Sequence, residues 1–387
     1  MTKRIVITGM GLVTPLGTGI NSFWQGLLSG KSRTEALPWP DSAGNRCTQI
    51  CAVDGLDAYP RDNKSLSDGA FYAILAAREA LNDSGLPLDG SKSIGLALGT
   101  ASGHGEELIS ELSRTDQIFK PAASLSALVA ESLDITGSVV TLPVACAAGC
   151  VAIVDGILQL THGRADAMLV GGTEGLSSVS FSGFSSLNVL TTDATRPFDL
   201  ERTGFLIGEG AGILVLETLE DARERDAQIY AEIMGFGLSA DAYHVIHPDP
   251  FAGGLIQSMT GALRSAKCTP EDIDYINAHG TATQANDRAE CEAMTEIYRS
   301  TSKAIVANSF KAVLGHTMGA AGAIETIGCV LSIRHQIIPP TWNFETKDPH
   351  CDVDCVPNEP REAKLDRILK NSSGFGGSNG SLVIGRI

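Results

Sequence analysis

Positive charge is scarce in this chain: 29 lysines and arginines face 45 aspartates and glutamates, for a formal net charge of −16. Such a balance excludes a protein that grips phosphate backbones, and no basic run with interleaved aromatics marks an RNA or single-stranded DNA surface. An acidic partner would need a local basic patch, for which Arg61, Lys64 and Arg202 are the candidates. Long apolar runs are also missing, since no stretch nears the roughly 20 residues of a membrane-spanning helix. The N-terminal RIVITGMGLVTPLG is broken by Gly9, Gly11 and Pro15, so it reads as a first strand and not as a signal segment. The expected location is therefore cytoplasmic, where the nine cysteines stay reduced. Cys47 with Cys51 and Cys351 with Cys355 form two C-x3-C pairs. Structural zinc sites usually have the tighter C-x2-C spacing, so ordinary thiols are expected there and no metal. Aromatics are few at 5%, yet 43% hydrophobic content over 387 residues supplies ample core, which excludes disorder.

What is present is alternation. Strand-like runs (RIVITG, SIGLALGT, DAMLVGG, GILVLE, AEIMGFG, YINAHGT, AIVANS, SLVIGRI) interleave with helical patterns such as GAFYAILAAREALNDSG, the signature of an α/β chain. The halves also resemble each other. AREALNDSGLPLDGSKSIGLALGT, ending at Thr100, parallels ALRSAKCTPEDIDYINAHGT, ending at Thr281; AAGCVAIVDGIL parallels AAGAIETIGCVL; GAGILVL parallels NGSLVI. Three matches in one order, spaced by about half the chain, predict a duplicated unit with halves at 1–230 and 231–387.

The duplication predicts that two equivalent helices meet in the middle, and Cys146 begins one of them. A helix start offers unpaired N–H groups and the positive end of the dipole, which favour thiolate over thiol. Small neighbours leave room for a substrate to approach its sulfur, whereas Cys150 falls on an apolar helix face as a core residue. A thiolate nucleophile needs partners, and histidine is scarce, with eight in the chain. His279 in NAHGTATQAND and His316 in KAVLGHTMGAAG sit at strand ends matching the Cys146 position. His104, His162, His335 and His350 lack such settings, and His244 and His247 lie in DAYHVIHPDP, a loop that could border the site.

Taken together, ACAAGC around Cys146, RPFDLERTGFLIGEGAG from Arg196, NAHGTATQAND from Asn277, KAVLGHTMGAAGAIE from Lys311 and NSSGFGGSNG from Asn371 resemble the motif set of β-ketoacyl-[acyl carrier protein] synthases. The likeness is greatest to the ketosynthase II type and runs in order from residue 3 to 387. It implies a thiolase-like α/β fold, duplicated βαβαβαββ halves forming a five-layer αβαβα sandwich, dimeric through the first half. It further implies that an acyl chain moves from a carrier protein to Cys146, and that malonyl carrier protein then loses CO2 and attacks it. By the same resemblance, backbone N–H groups of Cys146 and Phe375 face the developing oxyanion and Phe375 also gates the site. His279 and His316 stabilise the enolate, and Lys311 and Glu325 support the site electrostatically. Thr281 and Thr283 bond the phosphopantetheine arm, and Asp287 joins the supporting residues. In some relatives a cation sits near the equivalents of Asn277, Glu325 and Asn371, which is treated as structural and optional. No cofactor is implied: GMGLVT mimics part of a dinucleotide fingerprint but runs into Pro15 and lacks the third glycine.

The chain departs from that pattern between Ala101 and Val144, a segment that is shorter and lacks a Phe- and Pro-rich stretch where relatives shape the acyl tunnel and dimer contact. The usual RDG reads Arg202-Thr203-Gly204, and Ser373 replaces an aromatic in NSSGFGG. These changes point as readily to specialised polyene or polyketide synthesis as to housekeeping fatty acid synthesis, and to a homodimer or a heterodimer with a homologous subunit that completes the tunnel. Two alternatives stand beside the reading. A non-catalytic chain-length factor typically lacks the cysteine. A degradative thiolase would show C-x-G where this chain has GFGGSNG.

Overall fold

The computed structural model describes residues 3–39, 46–61, 66–104 and 124–387. Lys64 and residues 105–123, part of the segment expected to shape the tunnel, lie outside the described residues. The first half supplies strands β1 (Ile5–Thr14), β2 (Ile94–Gly99), β3 (Val139–Leu142), β4 (Ala167–Glu174) and β5 (Gly210–Thr218). The second supplies β6 (Ala231–Ala240), β7 (Tyr275–Asn277), β8 (Ala307–Asn308), β9 (Arg367–Gly374) and β10 (Ser378–Gly385). Their spatial order is β8-β7-β9-β10-β6 followed by β1-β5-β4-β2-β3, so each half repeats the same path as a mirror of the other. The halves touch edge to edge where Ile5, Val6 and Ile7 pair antiparallel with Ile233, Glu232 and Ala231.

Strands β1, β2, β4 and β5 are buried along their whole length, which explains their near-continuous apolar runs. Helix α1 (Asp68–Ser84), capped by the Ser67 side chain, covers one outer face by packing on β1 and β5. Helix α3 (Gly253–Ala266) does the same on β6 and β10, with α4 (Gln284–Tyr298) beside it. Between the sheets lie α2 (Ala148–Thr161) and α5 (Ala321–His335), each touching strands of both halves. The result is the expected five layers.

Glycine explains how closely these layers approach. A Cβ on Gly11 would lie 1.9 Å from the Ala76 carbonyl oxygen of α1, and one on Gly237 would lie 2.0 Å from the Ser258 carbonyl oxygen of α3. The G-x-G of GMGLVT and that of GFG at 235–237 are thus the same packing device in two halves, not a nucleotide loop. In the centre, a Cβ on Gly322 would lie 2.5 Å from the Cys150 nitrogen, so α2 and α5 meet backbone to backbone.

Two readings change. Strand β9 is absent from the apolar runs of the sequence, because its second half is Lys370-Asn371-Ser372-Ser373; Lys370, Asn371 and Ser372 are nonetheless fully buried. Arg202 is no surface residue: its guanidinium is buried, with Nη1 2.6 Å from Asp348 and Nε 3.7 Å from Asp287. Arg61 is bonded to Asp68 at 2.7 Å. The two C-x3-C pairs sit in separate cores, Cys47 and Cys51 beside Phe205 and Cys351 and Cys355 beside Met294. We predict that Gly237→Ala lowers stability by about 1–3 kcal/mol, because backbone must move to admit the methyl. Gly183→Ala, in a helix and facing open space, should leave it unchanged or raise it. Urea unfolding of both variants checks this.

Candidate active site

Strand β3 ends at Leu142, and the chain enters α2 through a tight 3-10 turn, Ala145–Ala147, that carries Cys146. Ala145 holds φ 44°, in the left-handed region that a non-glycine residue enters at some cost. The duplicated turn before α5, Met318–Ala320, has φ 43° at Met318, the residue equivalent to Ala145. There Gly319 stands in the place of Cys146. A Cβ on Gly319 would lie 2.5 Å from the Ala101 nitrogen, so that copy of the turn is packed shut while Cys146 opens on a cavity of about 320 Å³.

The same cavity is lined by His279, His316, Thr281, Thr283 and Phe375. The two histidine rings are 5.1 Å apart and nearly perpendicular. Lys311 donates from Nζ to the His279 carbonyl oxygen at 2.5 Å and stands 3.4 Å from His279 Nδ1. The Met318 N–H donates to His316 Nδ1 at 3.3 Å. These partners assign Nδ1 as acceptor in both rings, which leaves an Nε2–H on each as a donor. Strand β9 delivers Phe375: a Cβ on Gly374 would stand 3.0 Å from the Cys146 nitrogen, so any side chain there would press on the turn that carries Cys146. The Phe375 ring packs on Phe184 at 5.5 Å, Phe184 on Phe205 at 5.4 Å, and Phe205 on His316 at 5.0 Å.

The electrostatics overturn one expectation. Burial pushes the Cys146 thiol up to about 12; Lys311 pulls it down, but less, while Glu174 and Glu325 add to the rise. The dipole of α2 therefore does not leave a free thiolate at rest. Burial, with Lys311 next, also holds His279 and His316 well below the usual imidazole value, so both rings are neutral. Protons needed in a reaction must move between neutral groups.

Other expected residues are placed as follows. Glu325, on α5, bonds Lys311 Nζ at 2.5 Å. Asn277 is buried and donates from Nδ2 to Asn308 Oδ1 at 3.0 Å, while Asn371 Oδ1 accepts from Ser381 at 2.9 Å. Thr281 and Thr283 hydroxyls are 3.0 Å apart. Asp287 is not part of the cavity wall; it accepts from the Phe198 N–H at 2.8 Å and the Ala282 N–H at 3.1 Å, fixing the turn that follows His279. His247 lines the cavity, and His244 accepts from the His247 N–H at 3.2 Å, so the Pro-rich loop does border the site. Sequence reading missed three buried charges. Glu290 accepts from the His279 and Gly280 N–H groups at 2.7 and 2.6 Å, and burial lifts it to about 7. Glu174 ties the halves together by accepting from Ala101 at 2.7 Å and Gly319 at 3.0 Å. Lys370 stands 2.8 Å from Glu325 Oε2. Glu290 carried a signal, a carboxylate one turn after Asn286 and just beyond the NAHGTATQAND motif; Lys370 and Glu174 carried none. Among the described residues no group of three or more His, Cys, Asp or Glu could hold a metal ion, and no helix is long and apolar enough to cross a membrane.

A duplicated five-layer sandwich with one open cysteine turn, one closed copy and two neutral histidines facing the cavity defines a thiolase-like condensing enzyme. Comparison with known proteins narrows this. The model of the β-ketoacyl synthase N-terminal domain matches residues 2–222 and that of the C-terminal domain residues 230–345. The chain is 40% identical to 3-oxoacyl-[acyl-carrier-protein] synthase 2 of Coxiella burnetii, over 100% of this chain and 99% of that one. It is 34% identical to the tetracenomycin polyketide synthase ketoacyl synthase alpha subunit of Streptomyces glaucescens, over 99% and 97%. Among solved structures, the ishigamide ketosynthase/chain length factor matches with a TM-score of 0.92 and 36% identity, covering all of both chains. The chain belongs to the β-ketoacyl synthase family.

Alkylation of Cys146 by iodoacetamide should rise about tenfold per pH unit from pH 7 to 9.5 without levelling near 8.5, because its thiolate remains the minor form throughout. Mass-spectrometric quantification of the Cys146 peptide reads the profile, and a plateau below pH 9 would show that the helix dipole outweighs burial.

Proposed function

We propose that this chain condenses an acyl group held on Cys146 with malonyl-[acyl carrier protein], giving 3-oxoacyl-[acyl carrier protein], CO2 and free carrier protein. The observation that carries this reading is the convergence of Cys146, His279 and His316, from both halves, on one apolar cavity. Cys146 Sγ attacks the acyl thioester carbonyl, and the N–H groups of Cys146 and Phe375 receive the oxyanion. The thiol proton passes to the departing carrier thiol, so the acyl chain is exchanged between sulfurs without net charge. Malonyl carrier protein then enters, with Thr281 and Thr283 placed to bond its phosphopantetheine arm and Phe375 to gate the entrance. Its carboxyl C–C bond breaks, CO2 leaves, and the electron pair resides on the thioester enolate. The Nε2–H groups of His279 and His316 hold that oxygen, a task for which neutral imidazoles are suited. The enolate carbon attacks the acyl carbonyl and Cys146 leaves as a thiolate that regains a proton from solvent.

Lys311 and Glu325 position His279, and Asp287 positions the turn behind it. No cofactor enters the scheme. We place the two halves at 1–230 and 231–387, both needed for one site, and the protein in the cytoplasm. The relatives include both a 3-oxoacyl-[acyl-carrier-protein] synthase 2 and a ketoacyl synthase subunit of a polyketide synthase, which supports a role in fatty acid or polyketide synthesis. Ser373 on the cavity wall supports a wider acyl pocket than an aromatic would leave. The ishigamide ketosynthase is solved with a chain length factor, and a polyketide ketosynthase with its acyl carrier protein, which supports a carrier-protein partner and pairing with itself or with a homologue.

Incubation with a panel of acyl carrier proteins should leave an acyl adduct on the wild type and none on Cys146→Ala, read by intact-protein mass. His316→Ala should keep the adduct and slow malonyl decarboxylation by about 10²–10³. Normal decarboxylation by His316→Ala, or no adduct from any donor, would sink this reading.

A further inference from the structure

Glu325 lies between two buried ammonium groups, and Lys370 is the one that no motif anticipated. Its side chain is fully buried on β9, directly before the loop that carries Phe375. Nζ donates to the Asn371 carbonyl oxygen at 2.5 Å and to Ser372 Oγ at 2.6 Å, and stands 2.8 Å from Glu325 Oε2, a charge contact. Two of its protons are taken by hydrogen bonds, and the Glu325 carboxylate balances its charge without accepting a hydrogen bond at Oε2. These three oxygens also overlap the place where the resemblance put an optional cation, beside Asn277, Glu325 and Asn371. The residues present do not fit such an ion. Asn277 Oδ1 and Glu325 Oε2 are both buried oxygens without a hydrogen-bond partner, but the Lys370 ammonium stands 2.8 Å from Glu325 Oε2 and uses the Asn371 carbonyl, so its charge already occupies the space between them. A bound metal ion would bring a second positive charge to oxygens that an ammonium already uses.

We propose that Lys370 is a built-in cation: its tethered ammonium takes the position of an exchangeable ion and holds Glu325 for Lys311. Glu325 Oε1 takes Lys311 and Oε2 takes Lys370, so one carboxylate fixes two charges from different elements. Lys311 in turn holds His279 through its carbonyl. Lys370 is thus a positioning residue that acts through Glu325 and Lys311, and through Asn371 and Ser372 it anchors the strand leading to Phe375. A tethered charge need not be recruited from solution, which removes the dependence on ion concentration that a bound ion carries. This inference rests on the fold and holds whatever the acyl substrate.

The test is thermal melting of the full chain in potassium, sodium, ammonium and choline chloride at equal ionic strength, for wild type, Lys370→Ala and Lys370→Met. Wild type should melt at one temperature in all four salts. Lys370→Ala, which opens a cation-sized space, should melt about 5–10 °C lower in choline and recover with ammonium or potassium. Lys370→Met, which fills the space without charge, should be lowered and not recover. Cys146 acylation, followed in the same salts, should track the melting of Lys370→Ala. A wild type stabilised by potassium or sodium over choline would overturn the proposal, because an ion would then bind beside Lys370. Wild-type stability of Lys370→Ala in choline, or a loss that no cation restores, would overturn it too. Since melting needs no turnover, failure here is distinguishable from failure of the condensation reading.

Discussion

Everything at the site follows from how closely α2 and α5 meet, backbone to backbone. Gly149 faces the Gly319 carbonyl and Gly322 faces the Cys150 nitrogen, each at distances where a Cβ would stand 2.9 and 2.5 Å from its neighbour. Helices that close put their starting turns side by side. The Cys146 turn of one half therefore meets the Gly319 turn of the other. Both turns share the same strained backbone, yet one carries Cys146 and the other a bare glycine. Asymmetry at that single position gives a symmetric scaffold one sulfur that opens on the cavity. Widening the contact by one methyl would separate the halves and with them the cysteine from the two histidines, which come from the other half.

A second layer of control is electrostatic. The site excludes water well enough that burial dominates each titration: it holds Cys146 as a thiol and both histidines neutral. Charge is nonetheless present a short distance behind, in the Lys311–Glu325–Lys370 chain. A buried charge of this kind is costly unless its partners are present, and here each ammonium has hydrogen-bond acceptors and the Glu325 carboxylate beside it. The groups that face the cavity thus stay uncharged in a field set by fixed charges, which suits the proposed condensation, in which negative charge appears and moves on the substrate.

Much of this was legible in the chain. The apolar runs located eight of the strands, since strands buried on both faces must be apolar throughout. The repeats located the central helices, because equivalent packing demands equivalent small residues. The motifs located Cys146, His279 and His316. Strand β3, only four residues long, is not among those runs; the rest of what was not legible follows one rule: a polar residue reads as surface unless its partners are known. Strand β9 was missed because Lys370, Asn371 and Ser372 break its apolar pattern, although Glu325 and Ser381, remote in sequence, satisfy them. Arg202 read as a docking charge, although Asp348, far along the chain, buries it. The ionisation of Cys146 was misjudged for the same reason, as helix position is a local property and burial is not.

Local periodicity and residue types that no neighbour can replace settle the class of fold, its duplication and the identity of the cysteine and histidines that converge on the cavity. Tertiary structure decided which charges are buried, which of two equivalent turns stays open, and which proton each histidine presents. Those properties belong to pairs of groups brought together from distant parts of the chain, and their energies depend on the water excluded between them.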